Sequence, residues 1–382
     1  MKILFFCGSL EPGRDGVGDY TRRLAGACVA RGHDCTVLAL HDPAVERATD
    51  LTQDNVRLIR LPAAESWTGR LDRARQQLER FAPDWVSWQL VAQSFQPRGF
   101  LPAALLQAAP RLRGPRCHVM LHELWLGLET GASWRHRAIG WLQRRGVLCL
   151  LDQLEPDCIH TSNATYQQAL RAENFPADVL GLFGNVPVAG HFTGRATPPA
   201  RWPAGTAPLV AVTFGTLHPQ WRPAATVAWL RATARRLGRA PALLALGRTG
   251  THAAAILDSF RRQNVTVSVT GELAEADVSQ LLATADFGVA AHPWALIGKS
   301  GAAAAMLDHG LPVLVPRDDW RLRGATAPRA GAPDALLSRL AGLDENHTDR
   351  WLARRRAPEA ALPRITDEFL DALADISAAT RP

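Results

Sequence analysis

Short apolar segments alternate with amphipathic helical segments along most of the chain, and this alternation constrains its fold most strongly. The chain opens with an apolar segment at 2–10, a turn-rich loop at 11–19, a helical pattern at 20–31 and a second apolar segment at 34–40. Near-continuous apolar strands separated by helices are typical of parallel sheets that are buried on both faces. Two such series follow one another, so we predict an α/β protein with two doubly wound domains.

Proline and glycine separate the two series at 191–208, which we interpret as an interdomain linker. The domains are then 1–190 and 209–357, with an amphipathic C-terminal helix within 358–382. In the first domain the pattern predicts strands at 2–10, 34–40, 55–61, 84–91, 117–121 and 158–162, and helices at 20–31, 67–81, 99–113 and 133–153. In the second it predicts strands at 209–215, 242–247, 265–271, 287–292 and 312–316, and helices at 223–237, 251–262, 274–284 and 299–309.

Composition excludes several classes of protein. Hydrophobic residues make up 47% and charged residues 21%, which indicates a folded globular chain and not a disordered one. No run of apolar residues reaches the length of a spanning helix, and the N-terminal apolar run is too short for a secretory signal, so we expect a cytoplasmic protein. The six cysteines form no CxxC pair, and we interpret them as reduced interior residues.

Loops that leave the carboxyl ends of the strands are the candidate site segments, because ligands of doubly wound domains bind there. Gly16 and Gly18 lie in the first such loop, where the missing side chains let a phosphate or sugar approach the backbone. Thr21 stands where a GxGxxG motif has its third glycine, which disfavours a dinucleotide site. A tight turn without a ligand is the alternative interpretation.

A lysine and a serine stand where a helix of the second domain is predicted to begin. Lys299 adds a point charge, Ser300 a capping hydroxyl and Gly301 an accessible amide, so this loop predicts a diphosphate site. Pro293 replaces the first glycine of a Walker loop, which disfavours that motif. Lys2 is the only other lysine, so Lys299 does not come from a lysine-rich background. A capped helix with a surface lysine is the alternative.

His122 directly follows the predicted strand 117–121, at a position that faces a ligand cleft. A neutral imidazole there could donate to a ligand hydroxyl or transfer a proton, whereas a structural histidine is the alternative. The other histidines show no HExxH and no other ligand spacing, so we predict no metal site.

The order of these motifs resembles the GT-B glycosyltransferases, in particular the retaining family 4 type. The resemblance rests on DGVGDYTRRLAGACVARGHDCTVLAL (15–40), VMLHELW (119–125), HTSNATYQQAL (160–170), FGTLHPQWRP (214–223), VTGELAEADVSQLLATADFGVAAHP (269–293) and DHGLPVLVP (308–316). It spans nearly the whole chain. It implies two Rossmann-like domains facing a central cleft, with an acceptor-side N-terminal domain, a C-terminal domain that binds the nucleotide sugar, and a last helix that packs back on the N-terminal domain.

The paired glutamates of the family are absent, since their positions fall on Ile297 and Ala305. Asp308, one turn after Ala305, is our candidate to replace the glutamate that holds the ribose. The family's phosphate-binding arginine falls on Thr216.

The family's phosphate-binding lysine falls on Trp221 or Arg222. We expect Lys299 to supply the missing positive charge.

The resemblance implies a hexosyltransferase-type glycosyltransferase (EC 2.4). It would move a sugar from a UDP- or GDP-sugar to a glycan, lipid-linked or small-molecule acceptor with retention. It needs no cofactor and no metal, and the chain has no Asp-x-Asp motif. The catalytic residues would be His122 and Lys299. The donor phosphates and sugar would be bound by Gly16, Gly18, Thr216, Arg222, Lys299, Ser300 and Gly301. The nucleoside would be bound by Gly271, Glu272, Leu273 and Asp308.

Positive charge is concentrated in residues 98–151, which carry eight arginines against two glutamates. Tryptophan and arginine on one helix suit an anionic membrane surface, so we expect peripheral association with the inner face of the membrane and a lipid-linked acceptor. The residues concerned are Trp134, Arg135, Arg137, Trp141, Arg144 and Arg145. A solvated arginine-rich helix is the alternative. Nucleic-acid binding is not expected, because the sequence contains no recognised binding module.

Three other functions stay open at this point. A catalytically inactive GT-B protein that binds a nucleotide or a partner would explain the missing glutamates. A sugar-nucleotide 2-epimerase shares the fold and would convert a donor without an acceptor. A nicotinamide dehydrogenase is disfavoured by the absence of GxGxxG.

Overall fold

Two compact units make up the part of the chain that the computed structural model describes, residues 1–188, 207–325 and 333–379. Of these residues, unit 1 contains 1–181, 321–325 and 362–379, and unit 2 contains 182–188, 207–320 and 333–361. Each unit is built on a mainly parallel sheet, which confirms the predicted α/β class with two Rossmann-like domains. The predicted linker lies outside the described residues, except for its last two positions.

Unit 1 contains an eight-stranded sheet. Its strands are β1 (Lys2–Cys7), β2 (Asp34–Asp42), β3 (Thr49–Gln53), β4 (Val56–Pro62), β5 (Trp85–Leu90), β6 (Cys117–Leu121), β7 (Cys158–Thr161) and β8 (Asp178–Val179). They lie in the order β3-β4-β2-β1-β5-β6-β7-β8, and β3 alone among them runs antiparallel to its neighbour. The helices that follow these strands are α1 (Gly16–Ala30), α2 (Trp67–Phe81), α3 (Ala103–Ala108), α4 (Trp134–Leu154) and α5 (Ala164–Arg171).

Unit 2 contains a six-stranded parallel sheet in the order β11-β10-β9-β12-β13-β14. Its strands are β9 (Pro208–Phe214), β10 (Ala240–Leu246), β11 (Thr266–Val269), β12 (Phe287–Val289), β13 (Val313–Val315) and β14 (Leu337–Arg339). Its helices are α6 (Ala224–Arg236), α7 (Ala253–Arg261), α8 (Glu275–Thr284), α9 (Gly301–Asp308) and α10 (Glu345–Leu352).

Both faces of the unit 2 sheet are buried, as the apolar strands predict. Val210 and Val212 of β9 belong to one apolar core, whereas Leu209 and Ala211 belong to a second core on the opposite face. Alternate residues of a strand point to opposite faces, so a strand that is buried on both sides is apolar at nearly every position.

The C-terminal helix, α11 (Leu362–Ala379), packs on unit 1. The Phe369 ring lies 6.0 Å from the Phe5 ring and 5.1 Å from the His118 ring, and Asp367 pairs with Arg31 of α1. The last helix of the chain is thus anchored to the first strand and the first helix.

Helix α1 begins at Gly16, four residues before the predicted start at 20. Asp15 caps it, because its Oδ1 accepts hydrogen bonds from the amides of Val17 and Gly18 at 3.0 and 2.8 Å. A Cβ on Gly18 would lie 2.4 Å from the carbonyl oxygen of Ser9, so this turn requires a glycine. The two glycines that suggested a loop therefore lie in the first turn of a helix.

Candidate functional site

Four basic side chains meet at the carboxyl edge of the unit 2 sheet: His218, His292, Lys299 and Arg317. They follow β9, β12 and β13, which are adjacent strands. The rings of His218 and His292 lie 6.1 Å apart, and Nη1 of Arg317 lies 2.8 Å from Nδ1 of His218. Lys299 is near enough that its charge lowers the pKa of both histidines. We call these four residues the basic cluster.

Arg317 is the organising residue of the basic cluster. Only 5% of it is exposed, and Nη2 donates to Oε1 of Gln220 and to Oδ2 of Asp319, both at 2.9 Å. Nε donates to Oδ1 of Asp319 at 3.2 Å. A guanidinium with this many fixed partners holds a single orientation. Sequence reasoning missed Arg317, because an arginine after an apolar strand carries no signal in a chain so rich in arginine.

The proton of His218 lies on Nε2. Its Nδ1 accepts from Arg317 and from the backbone amide of Gln220, which lies 3.2 Å away, and both of these groups can only donate. Burial and the Arg317 charge lower the pKa of His218 to about 4, so the ring is neutral. His218 therefore offers a neutral N–H donor, which suits an anionic oxygen.

Lys299 ends a short turn, Trp294–Lys299, and α9 begins at Gly301, two residues after the predicted start at 299. Ser300 caps α9, as predicted, and its hydroxyl accepts from the amide of Ala303 at 3.2 Å. Because Ser300 is only 2% exposed, the hydroxyl serves the helix, and its expected contact with phosphate stays a prediction. Lys299 and Gly301 are half-buried at the helix start.

The loop after β9 contains the other predicted phosphate ligands. Thr216 and Arg222 are exposed there. Trp221 is buried against Phe260, with ring centroids 5.8 Å apart, so it is a core residue. Of the two positions that align with the family's lysine, only Arg222 is accessible.

The predicted nucleoside residues divide into an exposed group and a buried one. Gly271, Glu272 and Leu273 are exposed after β11, and Glu272 pairs with Arg248 at 2.9 Å. Asp308 is buried at the end of α9.

The Asp308 carboxylate has a structural partner, since its Oδ2 accepts from the amide of Gly184 at 2.9 Å. A contact between Asp308 and a ribose would have to coexist with the hydrogen bond from Gly184, and this contact stays a prediction.

In unit 1, His122 lies directly after β6 and is 7% exposed. Its Nε2 lies 2.9 Å from Oε1 of Gln89 at the end of β5, and the Tyr20 ring packs edge-on against it at 4.9 Å. Burial lowers the pKa of His122 to about 3, so the ring is neutral at physiological pH. Sequence analysis did not identify Gln89, because no local sequence pattern predicts that a glutamine in one buried strand contacts a histidine that follows the neighbouring strand.

Three side chains with metal-ligating atoms lie together in unit 1: His118, Cys158 and His160. The two ring nitrogens that face each other, Nε2 of His118 and Nδ1 of His160, are 3.0 Å apart, which is hydrogen-bond distance. A direct hydrogen bond therefore accounts for this arrangement, and the spacing of these residues along the sequence gives no hint of it.

Helix α4 presents the predicted basic and aromatic surface. Trp134 is 74% exposed and Trp141 is 52% exposed, and the guanidiniums of Arg135 and Arg145 lie 5.5 and 5.0 Å from their respective ring centroids. Arg137 is also exposed. We call these five residues the α4 surface.

Arg144 differs from its neighbours on α4, because it pairs with Glu173 through both guanidinium branches. A cavity of about 650 Å³ opens beside this pair. It is lined by Arg137, Trp141, Arg144, Trp125, Leu128 and Arg323, among others.

Among the described residues, every helix is too short or too polar to span a membrane.

Comparison with known families gives a match within the first half of the chain. Residues 15–186 match the family described as "Glycosyl transferase 4-like domain". No curated protein sequence matches the chain.

Solved structures show the same fold over nearly the whole chain. The crystal structure of Anabaena HepE with UDP and glucose has a TM-score of 0.61 and 14% identity, and covers 98% of this chain and 100% of that one. Sucrose-phosphate synthase from Thermosynechococcus elongatus has a TM-score of 0.57 and 14% identity, with full coverage of both chains. WaaG, a glycosyltransferase involved in lipopolysaccharide biosynthesis, has a TM-score of 0.53 and 13% identity, covering 97% and 95%.

Proposed function

We propose a reaction from the premise that this chain is a GT-B protein whose residues 15–186 form a glycosyl transferase 4-like domain. The reaction is transfer of a hexosyl group from a nucleotide-diphosphate sugar to an acceptor hydroxyl, with retention and without a metal. Retention and the hexosyl group follow from the resemblance to family 4.

The basic cluster carries this proposal. When the glycosidic bond of the donor breaks, negative charge accumulates on the leaving diphosphate, and catalysis requires groups already placed to stabilise it. Lys299 supplies a positive charge and His218 a neutral N–H donor, and Arg317, whose charge Asp319 partly balances, orients His218. In this scheme the basic cluster stabilises the leaving diphosphate, as a metal ion does in other transferases.

Arg317 is our candidate to replace the phosphate-binding arginine that the family has at the position of Thr216. The family places that arginine where this chain has Thr216, directly after β9, whereas Arg317 reaches the same edge of the sheet from β13. We propose that the charge has moved to a neighbouring strand. On this view the donor site is rebuilt and functional.

UDP is the nucleotide we propose for the donor. The HepE structures contain UDP or UDP-glucose, and their fold matches this chain along its length. Gly271 and Leu273 are exposed after β11, where a base could lie against them. His122 is proposed to contact the transferred sugar or the acceptor hydroxyl.

The acceptor we propose is lipid-linked, at an anionic membrane surface. Tryptophans that are more than half exposed are costly in water and favourable at the interface of a bilayer, and the arginines beside them attract anionic headgroups. WaaG, which shares the fold, is involved in lipopolysaccharide biosynthesis.

A thermal-shift panel tests the donor proposal directly. Purified protein is heated with UDP, GDP, ADP, CDP, dTDP or NADH, alongside Lys299→Ala and the control Lys2→Ala. Lys2 donates to the carbonyl of Phe81 and is exposed in unit 1, so its loss changes the net charge equally. A ligand at about 100 times its Kd stabilises by about 2.7 kcal/mol, enough to move a midpoint by several degrees.

We expect UDP to raise the midpoint of the unaltered protein and of Lys2→Ala, and to raise that of Lys299→Ala much less. A shift by GDP in place of UDP would change the donor base and keep the site. No shift by any nucleoside diphosphate would contradict the donor site and favour an inactive GT-B protein. Conversion of UDP-sugar without an acceptor would favour a 2-epimerase.

A further inference from the structure

A continuous row of hydrogen-bonded side chains crosses the sheet of unit 1 and ends at His122. Nε2 of His122 lies 2.9 Å from Oε1 of Gln89, whose amide nitrogen donates to Oγ of Ser87 over 2.9 Å. Oγ of Ser87 lies 2.8 Å from Nδ1 of His118, and Nε2 of His118 lies 3.0 Å from Nδ1 of His160. The row joins five side chains from three adjacent strands.

Strand register explains why these side chains meet. Ser87 of β5 is paired with His118 of β6, and Gln89 is paired with Met120, two residues before His122. Alternate residues share a face of a sheet, so Ser87, Gln89 and His118 lie on one face. Each of these three is at most 1% exposed, so water does not compete for their polar atoms.

The direction of donation along the row follows from the Gln89 amide. Its nitrogen faces Ser87, so its carbonyl oxygen faces His122 and accepts the proton on Nε2. Ser87 accepts from Gln89 and can donate its single proton to Nδ1 of His118. His118 then donates from Nε2 to His160.

Burial keeps the His118 and His122 rings neutral, because it lowers the pKa of each well below the usual range. A neutral imidazole carries one ring proton and one lone pair. With the proton of His122 committed to Gln89 at Nε2, Nδ1 is the atom with the lone pair.

We infer that Gln89 is a positioning residue, which holds His122 as the Nε2–H tautomer so that His122 meets a ligand hydroxyl as an acceptor at Nδ1. This reverses the donor role that sequence analysis allowed for His122. The catalytic meaning rests on the proposed function, in which the hydroxyl belongs to the transferred sugar or to the acceptor. The tautomer itself does not depend on any activity.

Nitrogen-15 labelling of histidine, with long-range proton–nitrogen correlation spectra, reads the tautomer of each ring in the unliganded protein. We expect the Nε2–H pattern for His122, whose signals are assigned by their loss in His122→Gln. Gln89→Leu is expected to give a mixture of tautomers, and Gln89→Glu, which keeps an acceptor for Nε2–H, to restore the pattern. Ser87→Ala removes the acceptor that orients the Gln89 amide nitrogen and is also expected to give a mixture. Thr161→Val is the matched control, because it removes a hydrogen bond at an equally buried position outside the row.

An Nδ1–H pattern for His122 in the unaltered protein, or a pattern that Gln89→Leu leaves unchanged, would overturn the inference. Where transfer is detected, Gln89→Leu is expected to lower kcat about tenfold, as loss of one hydrogen bond implies, with little change in donor KM. A protein without transferase activity but with the expected tautomer response would refute the proposed function and leave the role of Gln89 intact.

Discussion

Arg317 donates from Nη1 to Nδ1 of His218 across 2.8 Å, and this contact fixes which nitrogen of the imidazole carries the proton. Nε and Nη2 of Arg317 both donate to Asp319, and Nη2 also donates to Gln220. The two residues come from loops about 100 positions apart in sequence. They form one unit of the proposed diphosphate site, in which the arginine sets the chemistry of the histidine.

Arg317→Met is expected to change the pH dependence of UDP binding. Without the guanidinium, the pKa of His218 rises from about 4 towards its usual range, although burial still opposes the charge. As the pH falls below about 6.5, the variant then gains an imidazolium that the unaltered protein lacks. Calorimetric titration with UDP between about pH 7.5 and about pH 5.5 measures this.

Relative to the unaltered protein, the UDP affinity of Arg317→Met is expected to be about ten- to a hundredfold lower near neutral pH and to recover partly on acidification. The unaltered protein controls for protonation of the nucleotide itself. Arg317→Lys should not rescue the affinity, because an ammonium cannot hold Asp319 and His218 together. An affinity difference that does not depend on pH would contradict the role assigned to His218.

Acidification is expected to destabilise the protein below the usual pKa of histidine. Burial lowers the pKa of His118, His122 and His292 in the folded state, whereas the unfolded chain titrates near 6.5. Between the two values the unfolded state binds more protons, so stability is complete above about pH 6.5 and falls as the pH drops through that window. Thermal midpoints measured across this range test the direction.

One buried histidine can be isolated by substitution. His118→Asn is expected to reduce the loss of stability on acidification by up to about 1.4 kcal/mol for each pH unit crossed. His136→Gln, at an exposed position of α4, is the control. Equal effects from the two substitutions would show that His118 is not the group that titrates.

The order of strands and helices could be predicted because the central strands are mostly apolar. Helix 67–81 and strand 117–121 were predicted with the boundaries that the structure has. Five elements were missed: β3 is a polar, exposed edge strand, β8 and β14 have two and three residues, and α5 and α10 are helices of only eight residues each. Gly16 was misplaced because glycine is a poor helix former, and the Asp15 cap that starts the helix was not weighed against it.

Sequence identified the basic cluster only through Lys299. A lysine is unusual in a chain where two of the 43 basic residues are lysines, so it stood out, whereas Arg317 did not. The role of Arg317 depends on side chains from two loops, His218 and Gln220 after β9 and Asp319 after β13. Such a convergence depends on tertiary structure and leaves no local pattern in the sequence.

Gly140→Ala is expected to destabilise unit 1 strongly. A Cβ at Gly140 would lie 1.8 Å from the carbonyl oxygen of Leu126, so α4 or the Leu126 segment would have to move. We expect a loss of about 3 kcal/mol or more, measured by chemical denaturation, or failure to fold. Gly146→Ala, on the same helix, is the control: its Cβ meets Leu101 at an ordinary 3.7 Å, and the change should stabilise by about 0.5–1 kcal/mol.

The α4 surface is expected to bind anionic vesicles through three arginines and two tryptophans. Arg144 is left out of the test set, because its pairing with Glu173 already satisfies its charge. Each arginine near an anionic surface contributes about 1 kcal/mol, so replacing three of them with serine should weaken binding about a hundredfold at low salt. The variant changes Arg135, Arg137 and Arg145.

Co-sedimentation with phosphatidylglycerol vesicles measures this binding, with phosphatidylcholine vesicles as the neutral comparison. The control variant removes the same charge from three exposed positions of unit 2, at Arg235, Arg262 and Arg350. If net charge alone drives binding, both variants lose it equally. If the α4 surface is the docking site, only the variant of Arg135, Arg137 and Arg145 loses binding. The double variant Trp134→Ser and Trp141→Ser is then expected to weaken the binding that persists at high salt, because salt does not screen the burial of indole rings. Absence of binding by the unaltered protein would return α4 to the reading of a solvated, arginine-rich helix.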